Sequence, residues 1–294
     1  MPRSNRSKLA LIGNQPIQTH LQKAVKNGIV PHAQLWVGPE HVGKTTFLEN
    51  YLDQLQVDRR VSVQMVDGTE LDMETARGFI QSTTETSLWA GRRFIVISQA
   101  ERLRYQVYNA LLKVLEEPRS QVSIVLLATQ VETIPATVQS RCTTIWFQRV
   151  SDEELLAAVP ELAALVPLAH GLPGQLLSWK KASASQRWIQ QLMEWADLLQ
   201  QPPAERMGKA TDKDLFPVLR SLEATLYSVL TMQTRAQQYP AELSSALHNL
   251  ASRVAVSDTT TALQRVAEVR RSLAHPVQPK LVMTNLLLNI YTHL

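Results

Sequence analysis

Along the first half of the chain, short apolar runs alternate with longer stretches in which apolar residues recur every three or four positions. The runs Gln34–Val37, Ser62–Val66, Phe94–Ile97, Ser123–Ala128 and Thr144–Phe147 read as strands bounded by Gly, Pro and polar clusters. Leu103, Val107, Ala110, Leu111, Val114 and Leu115 share one face of a predicted helix that Pro118 ends. Strands separated by helices imply an α/β domain built on a largely parallel sheet.

After Val150 the strand signal stops. Ser151-Asp152-Glu153-Glu154 has the spacing of a capping box and opens a helix. A short helical region follows, broken at Gly171-Leu172-Pro173-Gly174. From about Ser185 helix succeeds helix: Gln186–Gln200, Leu215–Gln238, Ala241–Val254, Thr259–Leu273 and Lys280–Leu294. Pro202-Pro203 and Tyr239-Pro240 mark turns between them. The expected organisation is an α/β domain over 1–150, a small helical domain over 151–184 and a helical bundle over 185–294.

Composition adds little to this picture and removes some alternatives. The 294 residues are 45% hydrophobic and 19% charged, ordinary for a globular protein. No apolar run approaches the ~18 residues of a membrane span. The basic start Met1-Pro2-Arg3-Ser4-Asn5-Arg6 is not followed by the apolar stretch of a signal peptide, so a cytoplasmic protein without membrane contact is expected. The single cysteine, Cys142, excludes an internal disulfide and a four-cysteine zinc site, and reads as a small buried hydrophobe. Net charge is +4, with 17 Lys/Arg against 13 Asp/Glu in residues 1–150 and 13 against 13 thereafter. That excess suits phosphate-bearing partners, and equally suits a normally solvated surface.

Gly38-Pro39-Glu40-His41-Val42-Gly43-Lys44-Thr45 fits the phosphate-loop pattern G-x-x-x-x-G-K-[ST] in full. Glycines let backbone N–H groups turn inward around phosphate oxygens, Lys44 brings positive charge to the β- and γ-phosphates, and Thr45 offers a hydroxyl to Mg²⁺. A helix predicted from about Thr46 to Leu55 points its positive end at the anion. The loop follows the apolar run Leu35-Trp36-Val37, as the mechanism requires.

A hydrolysing ATPase of this kind needs an acid at the end of a second strand to hold Mg²⁺, and AAA+ members place a glutamate beside it to activate water. Here Phe94–Ile97 runs into Ser98-Gln99-Ala100-Glu101. Serine carries no charge toward the metal, and glutamine cannot accept a proton; loss of a general base alone costs ~10²–10⁴-fold in rate. Ser98 and Glu101 have capping-box spacing, so Glu101 is expected to reach back to a backbone N–H rather than replace the missing acids. ATP or ADP is then the expected ligand, bound weakly or without hydrolysis, with Mg²⁺ held weakly if at all.

Several stretches resemble one family. Leu11-Ile12-Gly13-Asn14-Gln15 and Val30-Pro31-His32-Ala33 through Pro39 look like the start of a bacterial clamp-loader AAA+ domain. Asn109-Ala110-Leu111-Leu112-Lys113-Val114-Leu115-Glu116-Glu117-Pro118 is similar to the family's N-A-L-L-K-x-L-E-E-P helix. Ile134-Pro135-Ala136-Thr137-Val138-Gln139-Ser140-Arg141-Cys142 is similar to its P-x-T-x-x-S-R-C segment. The resemblance spans residues 9–147, and Pro279-Lys280-Leu281 with Asn285-Leu286-Leu287-Leu288 looks like the end of the family's collar domain. The neutral Ser98 and Gln99, together with Gly171-Leu172-Pro173-Gly174 in place of G-S-x-R, resemble the delta-prime subunits of DNA polymerase III more than the gamma/tau motors. Two features depart from delta-prime: the cysteines of a zinc module are missing, so no zinc is expected, and the second domain is compressed.

The resemblance implies an α/β P-loop AAA+ domain with a small helical lid domain and a C-terminal all-α collar. It implies a hetero-oligomer with gamma/tau-like and delta-like subunits that acts on a sliding clamp and primer–template DNA. Arg141 would be an arginine finger reaching in trans into a neighbour's site, against the plainer reading of a structural salt bridge. Ile12 would lie at the nucleotide, and Thr129 where the family senses the γ-phosphate. Remaining alternatives are an active gamma/tau-like motor, an AAA+ scaffold outside replication and an independent DNA-remodelling ATPase.

Overall fold

The computed structural model describes residues 11–76, 78, 92–116, 122–202, 215–235, 237–273 and 278–291. The chain divides into two units, the first ending at Glu154 and the second beginning at Leu155.

The first unit is built on five strands: β1 Ala33–Val37, β2 Val63–Asp67, β3 Arg93–Ser98, β4 Val122–Ala128 and β5 Thr143–Trp146. They form one parallel sheet in the order β2-β3-β4-β1-β5. All of β1 and β4 is buried, which is why both read in the sequence as nearly unbroken apolar runs rather than as alternations. The helices of this unit are α1 Gln15–Lys26, α2 Lys44–Gln54, α3 Arg59–Ser62, α4 Tyr105–Glu116, α5 Ala136–Gln139 and, across the boundary, α6 Asp152–Ala158.

The two faces of the sheet bury different chemistry. On one, Leu35, Ile97 and Leu126 pack against Val107, Leu111 and Leu115 of α4, and full burial of each such side chain stabilises by about 1.5–3 kcal/mol. Tyr108 joins this core by donating its hydroxyl to Ala100 O. Trp36 instead meets Tyr51 and Phe147 at centroid distances of 6.3 and 5.4 Å, and Phe47 meets Phe147 edge-on at 5.2 Å. This aromatic group fastens α2 to β1 and β5. The predicted stop at Pro118 lies outside the described residues. Cys142 is half-buried against the core, and burial pushes its thiol up to about 11.

The capping box opening α6 forms as expected: Glu154 N donates to Ser151 Oγ at 3.2 Å, and Ser151 N donates to Glu154 Oε2 at 3.3 Å.

In the second unit, α7 Val166–Ala169 and α8 Pro173–Ser178 flank Gly171-Leu172, and five longer helices follow: α9 Ala182–Leu199, α10 Leu215–Arg235, α11 Ala241–Ala251, α12 Val256–Ser272 and α13 Pro279–Tyr291. Leu192, Leu219, Leu243, Val266 and Met283, one from each, are fully buried. A polar seam, Ser221, Thr225 and Ser228, is buried along α10 and satisfied locally, each hydroxyl donating to a carbonyl three or four residues back. Ser228 also meets His170 Nε2 at 3.2 Å, and Trp195 Nε1 donates to Ser221 Oγ at 2.8 Å. Leu281 and Leu288, seven residues apart on α13, are exposed. Pro203 and residues 292–294 lie outside the described residues. No described helix is long and apolar enough to cross a membrane.

Two left-handed glycines separate strain from crowding. A Cβ at Gly13 (φ +69°) would sit 2.4 Å from Val150 Cγ2, whereas one at Gly28 (φ +64°) meets nothing within 4 Å. Gly28→Ala is expected to cost only the left-handed penalty of about 1–2 kcal/mol. Gly13→Ala adds overpacking of about 1–3 kcal/mol, and urea denaturation of the two variants checks the order.

Candidate functional site

Because every strand runs the same way, all five C-terminal ends share one edge of the sheet, where ligands bind in open parallel sheets. The phosphate loop leaves β1 there. Gly38 N donates to Ala128 O at 3.1 Å and Phe147 N to Val37 O at 2.7 Å, so the loop's first residue is held between the ends of β4 and β5. A Cβ at Gly38 would lie 2.6 Å from Phe147 O, which explains why glycine is needed at that position. Val42 is buried, His41 is exposed in the left-handed region (φ 61°), and Gly43 (φ 108°) turns the chain into α2.

This turn starts α2 at Lys44, two residues before the expected Thr46. Lys44, Thr45 and Thr46 therefore all lie in its first turn, Thr45 exposed and Thr46 half-buried. Lys44 Nζ donates to the carbonyls of Gly38 and Pro39 at 2.5 and 2.9 Å, which holds the ammonium across the mouth of the loop. Burial lowers its pKa to about 8, against the opposing charges of Glu101 and then Glu40.

Ile12 is buried in the turn that precedes α1. Its neighbours lean on the segment that also braces the loop: Gly13 packs on Val150, and Asn14 exchanges two 2.9 Å bonds with the backbone of Gln148. The structure thus brings Ile12, residues 38–46 and Thr129 to the same edge. Arg141 is not among them. It precedes β5 and so enters from the opposite edge. There it bonds Glu116 Oε1 at 2.7 Å and Thr137 O at 2.8 Å, half-exposed.

The tip of β3 corrects one expectation and fills in another. Glu101 does not cap Ser98. Gln99 takes a left-handed conformation (φ 47°), and only one turn of 3₁₀ helix, Ala100–Arg102, follows, so the capping-box geometry never forms. Glu101 Oε1 instead accepts from Thr129 Oγ1 at 2.7 Å and Thr129 N at 3.3 Å, and its Oε2 is buried with no partner among the described residues.

Ser98 and Gln99 turn toward β2. Asp67 Oδ2 accepts from Gln99 Nε2 at 2.6 Å and from Ser98 Oγ at 3.3 Å, while Asp67 Oδ1 accepts from Thr69 N and Oγ1 at 2.9 and 2.7 Å. Desolvation of Asp67 is outweighed by these donors, and its pKa stays below the usual value. Gly68 permits the approach, since a Cβ there would lie 2.4 Å from Gln99 O. Sequence reasoning missed Asp67, Phe147 and the Glu101–Thr129 contact. Asp67-Gly68 after an apolar run was the one local signal, marking a strand end with a tight turn. Among the described residues no group of three or more His, Cys, Asp or Glu could hold a metal ion.

A parallel five-stranded sheet with a phosphate loop after β1 and β4 wedged between β1 and β3, followed by helices, defines an α/β AAA+ fold. The family described as DNA polymerase III, delta subunit, matches residues 58–151. DNA polymerase III subunit gamma of Buchnera aphidicola subsp. Acyrthosiphon pisum is 27% identical over 166 residues, covering 49% of this chain and 46% of that protein. DNA polymerase III subunit delta' of Pseudomonas aeruginosa is 25% identical over 170 residues, covering 46% and 52%. The structure of a RuvB point mutant from Thermotoga maritima is alike in fold, with a TM-score of 0.50 and 16% identity over 83% of this chain and 92% of that one. The chain spans about half the length of these two curated relatives. These matches make the chain similar to bacterial clamp-loader AAA+ proteins, over residues 58–151 for the family and over about half of the chain for the two relatives.

Burial holds the pKa of Lys44 at about 8 in the folded state, below its usual 10.5. Between about pH 8 and 10.5 the unfolded chain holds a proton that the folded chain has lost, so Lys44's contribution to stability rises with pH in that window. The stability of the wild type relative to Lys44→Met is expected to rise from pH 8 to 10.5. A difference that stays flat in urea melts across that range contradicts the buried ammonium.

Proposed function

We propose that this chain is a delta-prime-like subunit of a DNA polymerase III clamp loader, which helps to load a sliding clamp onto primer–template DNA. In this reading it joins gamma/tau-like and delta-like subunits in a hetero-oligomer, binds ATP or ADP without effective hydrolysis, and lends Arg141 to a neighbour's site. Residues 1–150 serve as the AAA+ domain, 151–184 as its lid and 185–294 as the collar.

One observation carries the reading: the phosphate loop is complete, yet the tip of β3 holds Ser98 and Gln99, neutral and hydrogen-bonded to Asp67 rather than turned toward the loop. Nucleotide binding and hydrolysis are thereby uncoupled. Arg141 fits a role in trans because it stands at the sheet edge opposite its own loop. Its pair with Glu116 is exposed enough to be worth about 0–1 kcal/mol, so a better anion can displace it. Exposed Leu281 and Leu288 suit a collar helix that meets other subunits.

A gamma/tau-like motor is the second reading, supported by the Buchnera relative named subunit gamma and by the carboxylate of Glu101 near Lys44. Steady-state turnover by the isolated chain separates the two. The delta-prime reading expects ATP hydrolysis no faster than that of Lys44→Ala, whereas linear turnover abolished by that substitution favours the motor.

In a complex reconstituted with a gamma/tau-like ATPase, Arg141→Ala is expected to slow hydrolysis at the neighbouring site by about 10³-fold or more. Arg141→Lys should not restore it, because an ammonium lacks the planar fork. Unchanged hydrolysis with Arg141→Ala leaves the arginine as a surface salt bridge.

A further inference from the structure

Thr129 is the residue at which the ends of β4 and β1 meet. The register pairs Val37 with Ala128, and Gly38 N bonds Ala128 O, so Thr129 stands beside the first residue of the phosphate loop. A threonine at that place has two donors to offer a phosphate, its backbone N–H and its hydroxyl. Both are taken by one oxygen of Glu101, at 3.3 and 2.7 Å. An ionised carboxylate only accepts, so the single hydroxyl proton points at Glu101 and Thr129 turns lone pairs toward anything else.

We infer that Glu101 is a built-in stand-in for a terminal phosphate, and that it makes this site accept a nucleoside diphosphate in preference to a triphosphate. The inference rests on the proposal that the Gly38–Thr45 loop binds nucleotide. Three further features support it. The second oxygen of Glu101 is buried with no hydrogen-bond partner among the described residues, so no donor satisfies it. Glu101 is the larger of the two acidic influences on Lys44, which means its charge already falls on the ammonium that a phosphate would seek. Glu40, the other, is exposed on the loop and screened by solvent, whereas Glu101 is fixed at its post by Thr129. A third phosphate group entering between Lys44 and Thr129 would place like charges together where water is partly excluded. A diphosphate ends short of that place.

Equilibrium titration of the full chain with fluorescent ADP and ATP analogues, with and without Mg²⁺, tests this. The wild type is expected to bind the diphosphate about tenfold or more tightly than the triphosphate, a ratio set by one unscreened charge. Glu101→Gln keeps the shape and still accepts from Thr129, but removes the charge. It is expected to raise triphosphate affinity about tenfold and to leave diphosphate affinity within about twofold. Should that variant fail to fold by circular dichroism, Glu101→Asp, which draws the carboxylate back by one methylene, is read with the same sign.

A wild type that binds both nucleotides equally overturns the inference and, if Lys44→Ala abolishes the binding, leaves the nucleotide site standing. Triphosphate affinity that falls in Glu101→Gln only when Mg²⁺ is present also overturns it, and assigns Glu101 to a metal-bound water. A wild type that binds neither nucleotide overturns the inference, and gain of triphosphate binding in Glu101→Gln would then leave the nucleotide site standing. No binding by either protein ends both the inference and the nucleotide reading.

Discussion

The site depends first on one strand pairing, β4 wedged in parallel between β1 and β3. That register fixes which residues can meet at the C-terminal edge. It puts Ala128 O under Gly38 N, holding the loop's first residue, and it sets Thr129 between the loop and the turn that carries Glu101. Parallel pairing also forces every connection to cross from one edge to the other, which sends α4 back to the far edge and delivers Arg141 there. Anion cradle and arginine are therefore separated within one chain by the length of the sheet. A ring of subunits, in which one chain's arginine edge faces the next chain's loop edge, is the arrangement that would reunite them.

Within the loop edge the charges are redistributed. The tip of β3 is neutral, and its two polar side chains are spent on Asp67 at the neighbouring strand end. The carboxylate that does lie near Lys44 comes from Glu101, three residues past Ser98, and it arrives already bound to Thr129. Position matters as much as charge here. An acid at the strand tip would face a metal ion beside Thr45, while an acid held against Thr129 faces the far end of a phosphate chain. The aromatic packing of Trp36, Phe47 and Phe147 ties α2 to β1 and to the end of β5 beside the loop.

Much of this was readable before the fold was known. Buried parallel strands leave continuous apolar runs, so all five were located within about a residue of their observed ends. The loop pattern and the Ser151–Glu154 capping box are local chemistry, and local spacing sufficed for both. The same spacing misled at Ser98 and Glu101. A capping box needs a helix to cap, and the left-handed Gln99 with a single 3₁₀ turn gave none, so the carboxylate took a partner 28 residues away. Partners at such separations, Arg141 with Glu116 and Asp67 with Gln99, are products of strand order and leave no trace in spacing. The early start of α2 has a simpler cause: Gly43 takes a left-handed turn that brings Lys44 into the first helical turn.

The central claim, that this chain works as a clamp-loader subunit, is tested most directly by what it binds in its own cell. Tagged at one end, expressed at its native level and purified, it is predicted to bring down a gamma/tau-like ATPase and a delta-like subunit, identified by mass spectrometry in stoichiometric amounts. Recovery of neither, under conditions where other contacts of the replication machinery survive, would contradict the account and favour a scaffold outside replication.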